Sequence, residues 1–364
     1  MTRLTASLLV LSLLAACSSG DGSNPITGGP DQDQTDTDTD DSGDDGTDGD
    51  PTGDDTDDGD GIDSDGSLPP GTPNPTPNDG IARSEPVGEG SGTATDVRYD
   101  SATDRFFVDG LAFDTANAYT RGEAVGSLGP FAVYENNTPL VDNFNGEPVG
   151  QFTHRAIYGV STSGETEFAI VRTGAYAGYG FGGFVYEREN GVDIPTSGQG
   201  SYAGDYAGLR DFDGRSGLEY VQADAAMQID FEDFNDGGGV RAEIFNRRIF
   251  DLAGRDITAD VVDGLNAEFD SNIGTLPVIQ FTISPGVQTA NGELLGEAYT
   301  VIGTPDGIER ASEGQFYAVM SGEDAREITG IVVLEGPDRF EDVTYRETGG
   351  FIVYRDPADR PTRP

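Results

Sequence analysis

From Val221 to Phe231 the side chains alternate. Val221, Ala223, Ala225, Met227, Ile229 and Phe231 share one face, and Gln222, Asp224, Gln228 and Asp230 share the other. A period of two held over this length dictates a strand with one buried and one wet face. Similar runs follow one another from about Gly200. Strands are predicted near Ser201–Arg210, Leu218–Phe231, Gly239–Phe250, Leu276–Ile283, Glu293–Ile302, Gly314–Met320, Arg326–Glu335 and Gly349–Arg355. Eight antiparallel strands in so short a span fit a closed barrel, which removes exposed sheet edges, and the same pattern also allows a two-sheet sandwich.

Upstream, shorter alternating runs near Arg105–Asp109, Phe131–Tyr134, Gln151–Val160, Thr166–Arg172 and Phe181–Glu187 predict a smaller β-rich domain over residues 83–199. No convincing stripe of helical period stands out, so the expected class is all-β. Residues 200–364 are assigned to the barrel.

The segment before this is of another kind. Residues 21–80 carry 19 aspartates and no Glu, Lys or Arg, with Gly, Thr, Ser and Pro between them. Such a stretch buries too little apolar surface to offset the entropy of ordering it, so residues 17–82 are expected to form a disordered stalk. Residues 57–66 faintly resemble Asp-rich calcium repeats but lack the EF-hand spacing, which leaves a solvated charge run or diffuse calcium association. Residues 81–364 hold 47 acidic residues against 20 arginines, and the whole chain has a net charge of −45 with no lysine. That field repels nucleic acid and anionic lipid.

At the N-terminus, Arg3, an apolar run from Leu4 to Leu14 and Leu14-Ala-Ala-Cys17 resemble a bacterial lipoprotein signal. The run is too short to span a bilayer, for which roughly 20 residues are needed. The resemblance implies a signal peptide over residues 1–16 and lipidation of Cys17, the only cysteine, with palmitate among the acyl chains. Two acyl chains or more anchor firmly, whereas one binds only marginally.

The stretch Gly200-Ser-Tyr202-Ala-Gly204-Asp-Tyr206-Ala-Gly208 resembles the first barrel strand of the transferrin-binding protein B family of surface lipoproteins. Ala226-Met-Gln-Ile-Asp230-Phe231, Val240-Arg-Ala-Glu-Ile244, Gly314-Gln-Phe316-Tyr317 and Ala325-Arg-Glu327-Ile-Thr-Gly330 resemble later motifs in the same order. Ala318 stands where the family carries a second glycine. The resemblance is confined to about residues 200–355. It implies an eight-stranded barrel displayed at the outer membrane, solute capture of a protein or a metal- or haem-carrying ligand, and an outer-membrane transporter as partner. Ser18 after the lipidated cysteine suits outer-membrane sorting by the same analogy.

Catalytic chemistry is poorly supplied. Any Ser-His-Asp or Cys-His arrangement would have to use His154, the only histidine. It shares a face with Phe152, Ala156 and Tyr158, as a packed strand residue does, and a haem-ligand role is the sharper alternative. Gly178-Tyr-Gly-Phe-Gly182-Gly183 satisfies G-x-G-x-x-G but leads into strand-like sequence, where a dinucleotide site needs a helix. The Arg247-Arg248 doublet reads as local ion pairing. Tyrosines among glycines supply rigid amphipathic contact area, which makes Tyr176, Tyr179, Phe181, Tyr202 and Tyr206 the candidate binding residues. The bland reading of the same residues is sheet or barrel core. The expectation is a non-enzymatic, cofactor-free surface binding lipoprotein, with a structural or adhesive lipoprotein as the alternative.

Overall fold

The computed structural model describes residues 76–85, 96–109, 118–136, 140–141, 148–149, 154–174, 178–232, 239–282 and 289–362. The signal peptide, Cys17, the stalk up to residue 75 and Tyr176 lie outside the described residues.

The first part is a curled antiparallel sheet. Its strands are β1 (Ile81–Ser84), β2 (Asp96–Asp100), β3 (Arg105–Asp109), β4 (Tyr119–Arg121), β5 (Ser127–Leu128), β6 (Phe131–Asn136), β9 (His154–Val160), β10 (Thr166–Thr173) and β11 (Gly182–Arg188). They are ordered β1-β11-β10-β9-β6-β4-β3-β2, with β5 paired to β6. Between them β7 (Leu140–Val141) and β8 (Pro148–Val149) pair as a separate two-stranded ribbon. Ile81 and Ala82, assigned from sequence to the end of the stalk, instead pair with Arg188 and Glu187 as the first rungs of β1.

The second part is a closed meander: β12 (Gln199–Asp213), β13 (Glu219–Asp230), β14 (Val240–Phe250), β15 (Ile279–Thr282), β16 (Glu293–Thr304), β17 (Gly307–Ser321), β18 (Glu327–Pro337) and β19 (Thr344–Tyr354). β19 pairs back onto β12, from Ala203 opposite Tyr354 to Asp213 opposite Thr344. All eight barrel strands anticipated from alternation are present. The apolar face of β13, from Val221 to Ile229, and Phe231 just past its end lie in the barrel interior with Ile244, Phe316, Val332 and Phe351.

One element departs from the sequence reading. An α-helix, α1 (Thr258–Glu268), interrupts the β14–β15 connection and adds Val261, Val262 and Leu265 to the interior core. Its apolar stripe is three residues wide and carries Gly264, so it offers little helical period to read. The glycine is there for contact: a Cβ at that position would lie 2.3 Å from the Cβ of Arg339.

The sheet lies against one side of the barrel. Ile157, Phe168, Ile170 and Phe184 of the sheet pack on Ala207, Leu209, Ile331 and Ile352, which point outward from barrel strands. This explains why Ile331–Leu334 is apolar on both faces: Ile331 meets the sheet while Val332 and Leu334 face the interior. Two adjacent glycines of β19 set the spacing. A Cβ on Gly349 would lie 2.1 Å from the Tyr206 ring inside the barrel, and one on Gly350 would lie 2.3 Å from the Phe168 ring outside it. The outer face of the sheet curls over its own small core of Phe106, Tyr119, Tyr134, Ala156 and Val171.

Candidate functional site

The buried charges are taken first, because most of them serve the fold. Arg83, Arg155, Arg172, Arg188, Arg210 and Arg247 are all buried. A guanidinium suits this use, since it is weakly hydrated and presents a fixed fork of donors. At the sheet–barrel junction, Arg83 Nε lies 2.7 Å from Glu293 Oε1, and Arg188 donates to the backbone oxygens of Asn291 and Met320. Glu327 accepts from Ser163 Oγ and Thr166 Oγ1 of the sheet at 2.8 and 3.0 Å.

Inside one end of the barrel, Glu347 accepts from Tyr206 Oη at 2.8 Å and from Arg247 Nη2 at 2.6 Å. Arg210 bridges Glu219 and Asp338 beside it. The arginine doublet is thereby split. In β14, Val240, Ala242 and Ile244 face inward, then a β-bulge opposite Gln222–Asp224 inserts an extra residue. Asn246 takes a φ of 54° there, a left-handed value that asparagine tolerates better than most residues. The shift turns Arg247 inward to Glu347 and leaves Arg248 outside, paired with exposed Asp256.

The candidate binding residues separate in the same way. Tyr202 and Tyr206 point into the barrel, where Tyr202 Oη donates to Ala325 O at 2.7 Å and Tyr206 Oη to Glu347. Burial pushes the Tyr202 hydroxyl up to about 12 and raises that of Tyr206 well above the usual tyrosine value. Phe181 is half-buried beside β11. His154 is buried within the curl, edge-on to the Tyr119 ring at 6.3 Å.

Of the described candidates, Tyr179 borders a large cavity. A cleft of about 990 Å³ opens between the sheet and the outer wall of the barrel. Its apolar lining comes from Tyr179, Phe184, Tyr317 and Val333, and the rings of Phe184 and Tyr317 stack at 5.9 Å across the junction. Glu85, Asp213, Glu268, Glu313 and Glu335 line it as well, carboxylates drawn from five separate segments.

The Tyr179 loop is held rigidly. Gly180 N donates to Asp211 Oδ2 at 2.9 Å, and Arg346 Nη2 bonds the same carboxylate at 2.6 Å and Gly180 O at 3.0 Å. Arg346 also lies over the Tyr179 ring, 4.7 Å from its centroid, while Tyr179 Oη meets Thr344 Oγ1 at 2.8 Å. Glu85 receives a hydrogen bond from Arg172 at 3.1 Å. Among the described residues, no ion pair engages Asp213, Glu268 or Glu335. Partial burial raises the Glu335 carboxyl above the usual glutamate range, against the pull of Arg346. Chemically, the cleft offers a flat aromatic floor and an excess of negative charge. Its residues are scattered from 85 to 344, so only Tyr179 was visible from local sequence.

Among solved structures, the chain is similar to a double mutant of transferrin binding protein B from Haemophilus parasuis Hp5. Identity is 11%, over 70% of this chain and 41% of that one, with a TM-score of 0.34. It is similar to the isotype 1 transferrin binding protein B from serogroup B Neisseria meningitidis at 12% identity, over 76% and 43% of the two chains, with a TM-score of 0.32. A third structure, described as a surface lipoprotein, is 11% identical over 51% of this chain and 76% of that one, with a TM-score of 0.27. The chain spans less than half the length of the first two. No family model and no curated protein matches the sequence.

Proposed function

We propose that the chain is a lipid-anchored binding protein of the bacterial outer membrane, exposed at the cell surface. In this reading Cys17 carries the acyl chains, the aspartate-rich segment is a stalk, and the folded head captures an extracellular ligand at the cleft between sheet and barrel. The observation that carries it is the cleft itself: a concave, aromatic-floored cavity of about 990 Å³ on a protein whose buried polar groups otherwise tie strands together. Clefts of several hundred Å³ or more are the usual form of a binding site, and this one sets carboxylates around an aromatic floor. The proposed partners are an extracellular protein or a metal- or haem-carrying molecule, with an outer-membrane transporter downstream. Binding rather than catalysis is favoured by His154, which packs edge-on against Tyr119 in the curl.

Two measurements test the reading. Metabolic labelling with palmitate should mark the wild-type protein and leave Cys17→Ser unlabelled and released from membranes; equal membrane retention of both overturns the anchor. The immobilised protein should retain an extracellular ligand saturably, and Thr344→Trp, which fills the cleft mouth, should abolish that retention. Non-saturable retention, as expected of a structural or adhesive spacer, or an unaffected Thr344→Trp variant overturns the binding role of the cleft.

A further inference from the structure

We infer that the cleft takes an arginine- and lysine-bearing segment of a partner polypeptide, a conclusion that rests on the proposal that the cleft is the binding site. Charge complementarity selects the sign. Five carboxylates line the cavity; Arg172 pairs with Glu85, Arg310 with Glu313, and Arg346 is committed to Asp211, which leaves Asp213, Glu268 and Glu335 for a ligand. Asp213, Glu268 and Glu335 are exposed carboxylates at the edge of the trough, so they repel an anionic ligand and attract a cationic one.

The floor selects the shape. Arginine and lysine side chains are apolar stems with charged heads, so they cover ring faces while their heads reach carboxylates at the edge. The protein already displays this arrangement beside the cleft, where the Arg346 guanidinium lies over Tyr179 and bonds Asp211. The stacked pair Phe184–Tyr317 and Val333 offer the same kind of surface to an incoming side chain.

The chain's own segments are excluded as occupants. Residues 21–80 carry only negative charge, and a second copy would bring another −27 from residues 81–364. Like charges brought together at an interface oppose association. A partner segment of opposite sign remains. The open side of the trough leaves room for the rest of its chain to continue into solvent.

The test uses the full chain in detergent micelles and three probes: a capped hexapeptide alternating arginine and leucine, its glutamate–leucine counterpart, and spermidine. Calorimetry at physiological salt should show saturable one-to-one binding of the basic peptide alone. The doublet Asp213→Asn/Glu335→Gln should weaken it by about tenfold, and Asp306→Asn/Glu323→Gln, which removes equal charge from exposed turns elsewhere, by less than about twofold. Tyr317→Leu should weaken it severalfold. Equal weakening by both doublets shows diffuse attraction to an acidic surface and overturns the inference, as does spermidine binding as tightly as the peptide. If the basic peptide fails to bind while Thr344→Trp still abolishes retention of the natural ligand, the cleft is a site of other chemistry. The inference then falls and the proposed function stands. If Thr344→Trp has no effect either, both fall.

Discussion

The barrel and the curled sheet are built from the same kind of antiparallel strand, yet they deal with their edges differently. The barrel satisfies its edges internally: every strand from β12 to β19 has two neighbours, and its apolar residues face a shared interior. The sheet ends in β1 on one side and β2 on the other and does not close. It curls over a small core and buries its other face against the barrel. The barrel therefore owes its shape to hydrogen-bond closure. The sheet owes its placement to a docked face and to buried charge pairs such as Arg83–Glu293. A closed element leaves its outer wall free for use, and a docked one creates a seam; the cleft lies where the two meet.

Five perturbations probe that contrast. Inside the barrel, Glu347→Gln strips the charge partner from buried Arg247 and weakens the bond from Tyr206. Breaking a buried pair on one side should cost about 3–5 kcal/mol, read from urea unfolding. A cost below about 1 kcal/mol would mean that the charged end of the barrel is incidental to closure.

At the seam, Arg83→Met orphans Glu293, which keeps a hydrogen bond from Asn291. A cost of about 3 kcal/mol is expected, and the double variant Arg83→Met/Glu293→Leu should recover most of it. If it recovers none, the pair is not what holds sheet to barrel. Gly349→Ala places a methyl group against the Tyr206 ring and should cost about 1–3 kcal/mol by overpacking. An unchanged unfolding midpoint would show that the ring can move aside.

The fourth perturbation is pH. Glu167 and Glu187 face each other across β10 and β11, and the hydrogen bond between them, with burial, pushes Glu187 up to about 8. The folded sheet holds that proton while an unfolded glutamate has released it from about 4.5 upward. Unfolding therefore sheds a proton throughout that window, and stability falls as pH rises from about 4.5 to about 8. Glu187→Gln should flatten the dependence of the melting temperature on pH, and an equal slope in both proteins would refute the shared proton. Smallest is Arg248→Ala. Its pair with Asp256 is exposed on both sides, so a loss below about 1 kcal/mol is expected.

The barrel was readable from sequence because its interior faces alternate over long runs, without interruption in β13. The curl was harder. β4 has three residues and β5 two, too few to establish a period. Tyr202 and Tyr206 show a second limit. β12 is covered by the sheet outside and filled with rings inside, so its alternation cannot say which face is which. Ala207 and Leu209 point to the sheet while the tyrosines point inward. The bulge at Asn246 is a change of parity among the inward residues, from Val240, Ala242 and Ile244 to Arg247 and Ile249, and Phe245 and Phe250 on the other face hide it in the sequence. The cleft was unreadable in principle, because no two of its carboxylates are neighbours in the chain.

The pairing of β12 with β19 has a consequence for the birth of the molecule. Synthesis delivers Ala203 some time before its partner Tyr354, so the first stave waits for the last before the cask can be hooped. Until then the nascent polypeptide holds a row of strands with both flanks open, at β12 and at the newest strand, and the surface on which the sheet is to rest is only partly assembled. Any early stop upstream of β19 leaves no smaller version of the head, only unfinished staves.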